Sequence, residues 1–327
     1  MRVPRILVLL MFACTLASAS DLRQIGMVNL PGPPGFEAVA FDNGLLLLTQ
    51  PGASAVDVFD PVRRRTVAQI TGLQSPRGIA VDEKAGRVYV ADHGSNSIAV
   101  VASDGWKVVD SIAVPGSPNS LWLAADGKLY WTDADAEAIS LLDLRTKQDV
   151  AKADLGGTPR DLAADSARQV VFVTLQDAHQ IVAVDGQLRI VNRFPLSASQ
   201  PTGLVYDPQY HELYVAVRYA VLAINAGTGA EIDRVAAPAG VDALWLDPDS
   251  RTLFAASEGS LLVISAKGRL SKADELITAG IKGHTVAYDA EKRMVLLPGG
   301  SEGKSKLLIL RPMAANAQQD DTDARVR

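Results

Sequence analysis

The chain has 327 residues, 48% of them hydrophobic and 21% charged, with a formal charge of -5. That composition excludes a disordered or fibrous polymer and supplies enough apolar surface for a large buried core. Lysines and arginines are spread along the chain, so no basic stripe marks a phosphate-neutralising surface, and nucleic acid is not expected as a partner.

At the start, Arg2 and Arg5 precede an apolar run from Ile6 to Leu16, and Ala17-Ser18-Ala19 supplies the small residues a signal peptidase accepts. Residues 1–19 are therefore expected to be a signal peptide, and the mature protein to be periplasmic or secreted. The run is shorter than the ~20 apolar residues that cross a bilayer, which argues against the competing reading, an uncleaved anchor, and leaves the mature form without a span. Cys14 is the sole cysteine and lies inside this segment. Removal of the segment leaves no thiol or disulfide, and thiol catalysis and cysteine-ligated metal are excluded. Lipidation of Cys14 is the alternative; Met11-Phe12-Ala13 is a poor context for it.

A repeat then dominates. Pro76, Pro118, Pro159 and Pro201 recur at intervals of 42, 41 and 42, a period that signals a propeller or solenoid. The runs they open are SPRGIAVD, SPNSLWLA, TPRDLAAD and QPTGLVYD, and three copies without the proline read FEAVAFD from Phe36, VDALWLD from Val241 and GHTVAYD from Gly283. Six of the seven close on Asp42, Asp82, Asp165, Asp207, Asp247 or Asp289, read here as turn caps. A second strand follows in most units (VYVAD, LYWTD, VFVTL, LYVAV, LFAAS), then a third (SIAVVA, ISLLDL, QIVAVD, LLVISA) and a looser fourth. Nothing between them is long enough for a helical crossover, so the sheets are antiparallel.

The expected fold is thus all-β: one seven-bladed β-propeller of four-stranded antiparallel blades over residues 22–313. The seventh unit ends after its third strand, and Leu22 to Leu30 is free to supply the fourth, closing the ring and removing an exposed edge. Residues 314–327 lose hydrophobic periodicity and are expected to form a disordered tail.

The second strand resembles the YVTN repeat of bacterial propellers, the Pro-x-Gly first strand resembles the NHL repeat, and Leu129-Tyr130-Trp131-Thr132-Asp133 is similar to the YWTD variant. Propellers with such repeats include binding proteins, lactonases and companions of quinoprotein dehydrogenases, so the resemblance speaks to architecture more than chemistry. GFEAVAF, SPNSLWL and VDALWLD are also similar, more weakly, to the settings in which gluconolactonase-like (SMP-30) propellers hold a divalent cation. That resemblance implies a Ca²⁺ or Mg²⁺ site on Glu37, Asn119 and Asp242, although that family has six blades.

Aligning the seven first strands puts Glu37, Arg77, Asn119, Arg160, Thr202, Asp242 and His284 at one position, expected to ring one mouth of the central channel. Metal and anion are the competing occupants. At ~7 Å and an effective dielectric of ~20, an arginine repels a divalent ion by roughly 5 kcal/mol, so Arg77 and Arg160 weigh against a cation. Arg77, Arg160, Thr202 and His284 instead suit a carboxylate or phosphate. Glu37 beside Arg77 and Asp242 beside His284 would let the ring neutralise itself, and a mixed-charge, ligand-free mouth is the plainest outcome.

His93 and His179 fall in turns on the mouth face, and His211 on the opposite face, where no role is assigned to it. Asp92 and Asn96 read as turn-formers. Trp122 and Trp245 stand where most units have alanine and are expected to fill gaps in the packing. No nucleophile elbow, HExxH or phosphate-binding glycine loop is present. The expected function is an exported binding or scaffold module for a small polar or anionic ligand, or for a partner protein on the channel face, acting as a monomer. The alternatives are a metal-dependent lactonase-like hydrolase, in which the cation would polarise a carbonyl and activate water, and an accessory subunit of a periplasmic quinoprotein oxidoreductase.

Overall fold

Second and third strands that are apolar at nearly every position have to be buried on both faces, and outer strands that alternate need bury only one. Both patterns are met. The computed structural model describes residues 22–278 and 280–312; the expected signal peptide 1–19, Cys14 and the tail 314–327 lie outside the described residues. Seven four-stranded antiparallel sheets follow one another in chain order, blades 1 to 6 spanning residues 39–70, 76–113, 118–154, 159–195, 204–236 and 241–277. Val170–Leu175, the second strand of blade 4, is buried at five of six positions, whereas the outer strand Arg65–Ile70 of blade 1 alternates between exposed and covered residues.

Blade 7 combines Ala287–Asp289, Met294–Ser301 and Lys304–Pro312 with Leu22–Asn29, which pairs antiparallel with Lys304–Pro312 from Leu22 opposite Pro312 to Asn29 opposite Lys306. The ring closes as the repeat count requires. Apolar clusters sit between neighbouring blades; Ile98 and Tyr89 of blade 2 pack with Leu129 and Trp131 of blade 3, for example. Trp122 lies 5.0 Å from the Tyr130 ring and Trp245 6.0 Å from Phe41, so both tryptophans fill packing gaps.

The aspartates that end the inner strands cap the turns on the face opposite the mouth. Asp165 Oδ1 accepts the Ala167 and Arg168 N–H groups, and Asp289 Oδ1 accepts that of Lys292. On the mouth face Asp92 Oδ1 takes the Gln74 N–H at 2.6 Å and its Oδ2 the Ser95 hydroxyl, while Asn96 occupies the left-handed region at φ 51° that asparagine tolerates. These are structural acids.

The inner strands matter most for the site. In blades 2, 3, 4 and 6 their pairing with the second strand slips just past the ring residue, between Pro76 and Ile79, Pro118 and Leu121, Pro159 and Leu162, and Val241 and Ala243. Such bulges re-aim side chains and strand a backbone N–H. In blades 3 and 4 buried threonines of the second strands satisfy it: Thr132 and Thr174 accept from the amides of Ser120 and Asp161 at 3.0 and 3.1 Å, and Thr49 accepts that of Ala38 at 2.8 Å at the equivalent place in blade 1. The threonine of the repeat therefore holds the bulge that presents the ring.

Candidate functional site

All seven ring residues line one cavity of about 230 Å³ at the channel mouth. Arg77, Asn119, Arg160 and Asp242 project from within the inner strands, whereas Glu37, Thr202 and His284 stand just before strands that start at Val39, Leu204 and Ala287. The volume suits a small ion or metabolite better than a large cofactor, whose pockets run to ~300–1,000 Å³.

Two ion pairs span neighbouring blades. Arg77 Nη1 stands 3.9 Å from Glu37 Oε2 and donates to Asn119 Oδ1 at 3.4 Å, and its buried Nε has no partner among the described residues. His284 Nδ1 lies 2.9 Å from Asp242 Oδ2. The Asp242 hydrogen bond raises the His284 pKa despite partial burial. Burial would raise the Asp242 carboxyl in turn, but His284 and the Arg160 charge hold it below its ordinary value. Thr202 Oγ1 donates to Val241 O at 3.0 Å across the next blade boundary.

Arg160 differs from its neighbours. Its guanidinium makes no hydrogen bond or ion pair with any described residue, although its charge is felt by Asp242 and His284. The cavity thus contains five donor N–H groups on a fixed fork with no acceptor among the described residues.

Asp161, also in the cavity wall, was not singled out by the ring alignment. Burial pushes its carboxyl up to about 6, against hydrogen bonds from the backbone N–H groups of Leu204 and Leu162. The signal was in the repeat: at the residue after the ring position the other units have Ala38, Gly78, Ser120, Gly203, Ala243 and Thr285.

The cation implied by the gluconolactonase-like resemblance finds a poor donor set. Glu37 faces Arg77 and Asp242 faces His284, so a divalent ion would have to displace both partners and bear Arg160 as well. Among the described residues no three His, Cys, Asp or Glu side chains converge as metal ligands.

The remaining histidines lie apart from this cavity. His179 borders a separate, open depression with Ser197, Ser199, Arg218 and Tyr219. His93 does not line the central cavity, and its Nδ1 is buried without a partner among the described residues. His211, on the opposite face, joins a network missed in the sequence: the Tyr206 hydroxyl donates to Asp165 Oδ2 at 2.7 Å and lies 2.9 Å from His211 Nδ1. The partners sit in two blades, so spacing gave no hint of it.

Seven four-stranded blades around a channel lined by their inner strands define a seven-bladed β-propeller. Residues 73–101 match the NHL repeat family. The uncharacterized proteins YncE of Salmonella typhi and Salmonella typhimurium (strain LT2) are each 28% identical to the chain over 203 residues, 58% of this chain. The chain covers 56% of the length of these curated relatives. With the fold, these findings support an NHL/YVTN-type β-propeller. Among solved structures, a chain of the mitotic checkpoint complex superposes with a TM-score of 0.77 at 13% identity, covering 95% of this chain and 99% of that one. A chain of Kuenenia stuttgartiensis hydrazine synthase does so with a TM-score of 0.70 at 14% identity, covering 83% and 93%. Likeness at that identity speaks for the fold alone. No helix among the described residues is long and apolar enough to cross a membrane.

Proposed function

We propose that this protein is an exported binding module that holds a small anionic ligand in the cavity at the channel mouth. The observation that carries this reading is Arg160, a guanidinium in a cavity wall with no acceptor among the described residues. The raised pKa of His284 adds positive charge to the same ring. Guanidinium groups recognise carboxylates and phosphates through paired, charge-assisted hydrogen bonds. Export rests on the Arg2, Arg5, Ile6–Leu16 and Ala17-Ser18-Ala19 pattern.

The test is calorimetric titration of the purified protein with propionate and with inorganic phosphate at pH 7. Binding is expected, and Arg160→Ala is expected to weaken it by about tenfold or more, the effect of one charge-assisted hydrogen bond. Absence of binding, or equal affinity in the variant, overturns the reading. Amino-terminal sequencing of the natively produced protein checks export, the expected first residue lying just beyond Ala19.

A further inference from the structure

We infer that the ligand of this cavity is a short zwitterion of the amino-acid type, its carboxylate on Arg160 and its ammonium on Asp161. The inference rests on the reading of the cavity as an anion site and adds the group that accompanies the anion.

The residues that follow the ring position form a second tier of the cavity wall: Ala38, Gly78, Ser120, Asp161, Gly203, Ala243 and Thr285. Six of them are small and uncharged, and packing explains why. A Cβ on Gly78 would stand 2.4 Å from Asn119 O, and one on Gly203 would stand 2.1 Å from Asp242 O. Neighbouring blades approach backbone to backbone in this tier, and glycine permits it. Packing gives no reason for a carboxylate in the same tier.

Inter-blade stitching does not require one either. Asp161 Oδ2 accepts the Leu204 N–H of the next blade at 3.0 Å and Oδ1 its own neighbour Leu162 at 2.8 Å. At other blade boundaries uncharged hydroxyls cross instead: Ser120 to Arg160 O at 2.9 Å, Thr202 to Val241 O at 3.0 Å and Thr285 to Phe36 O at 3.2 Å. A serine or threonine stitches without burying a charge.

What remains is a negative charge that the protein matches incompletely. No cationic side chain among the described residues lies within ion-pair distance of Asp161, and burial pushes its carboxyl up to about 6. Acids with perturbed titration concentrate at functional sites, where a ligand can supply the counter-charge. The adjoining residue is Arg160, a cation without an acceptor. One wall of the cavity thus offers, on consecutive residues, a cation without an acceptor among the described residues and a carboxylate opposed only by two backbone N–H groups and the Arg160 charge, and a molecule whose own ammonium and carboxylate are a few bonds apart satisfies both. A simple anion would satisfy Arg160 and leave its charge beside Asp161.

Propionate, L-lactate and L-alanine test this, because they differ in a single substituent next to the carboxylate: hydrogen, hydroxyl or ammonium. Titrated into the full chain at pH 7.5, L-alanine is expected to bind about tenfold or more tightly than propionate. Asp161→Asn is expected to abolish that ratio while propionate still binds, and Arg160→Ala to weaken all three. L-Alanine binding no tighter than propionate overturns the zwitterion while leaving the anion site standing. Failure of all three to bind, or indifference to Arg160→Ala, overturns the anion site itself. A purely stitching Asp161 would instead lower the thermal midpoint of Asp161→Asn and leave the ratio unchanged. Should that variant not fold, the wild-type protein at pH 5 answers the same question, since protonating Asp161 has to shrink the L-alanine advantage; an undiminished ratio there refutes the assignment.

Discussion

Arg251 is the residue whose loss should be felt furthest from the cavity. It lies in a turn of blade 6 and is 7% exposed, and its Nη2 donates to the Asp207 carboxylate of blade 5, to the Tyr214 hydroxyl at 3.0 Å and to Ala266 O at 3.1 Å. The guanidinium also stacks 4.5 Å from the Tyr210 ring centroid. Asp207 is fully buried; burial would raise its carboxyl, but the Arg251 hydrogen bond, the Gln209 amide and the Arg251 charge hold it below its ordinary value. Arg251→Met leaves that carboxylate buried without its cation, which costs about 3–5 kcal/mol. With an unfolding entropy of about 0.6 kcal/mol/K for roughly 290 folded residues, the thermal midpoint should fall by about 5–8 °C. The sign with pH is set by the depressed Asp207: in the wild type its contribution is present above the unfolded carboxylate range and lost as pH falls through the lower folded value. In the variant the buried charge becomes a burden relieved by protonation, so the deficit should narrow on acidification. Scanning calorimetry of both proteins at pH 8 and pH 5, with Arg251→Met/Asp207→Asn to close the cycle, measures this. A loss below about 1 kcal/mol, or a double variant no more stable than the single one, would refute the inter-blade clamp.

Asp57 should behave in the opposite sense. It is fully buried, its Oδ1 accepts from Gln69 at 3.0 Å, its Oδ2 has no partner among the described residues, and burial pushes its carboxyl up to about 6. Because the folded pKa is raised, stability is lost as pH rises from the unfolded value towards 6; after solvent screening the penalty is about 2 kcal/mol at neutral pH. Asp57→Asn should therefore gain stability relative to wild type between pH 4 and pH 7.5, and equal offsets at both pH values in thermal scans would contradict this. Deleting residues 22–30 should destabilise the whole ring, because it strips the closing strand from Lys304–Pro312 and uncovers Leu307 to Leu310, all buried. Light scattering on refolding should report aggregation, and an unchanged, monodisperse protein would show that the ring does not depend on this closure.

The sequence by itself determined the architecture. A period of 41 or 42 residues, strands with the right alternation and a seventh unit one strand short specify seven blades and the closing role of Leu22–Asn29, because in a propeller each repeat packs only on its neighbours and local pattern carries over to the whole. The same periodicity named the order of residues around the mouth. Tertiary structure decided what those residues do to one another. Glu37 is drawn to Arg77 and Asp242 to His284, while Arg160, an equally basic ring member, is left without an acceptor. That difference depends on bulges held by Thr132 and Thr174 and on distances between blades, which no repeat spacing encodes. Asp161 stood in plain view as a lone acid among small residues, and its meaning appeared once the fold set it, half-buried, in the cavity wall beside a guanidinium with no acceptor among the described residues, since the cost of an unmatched charge grows as water is removed.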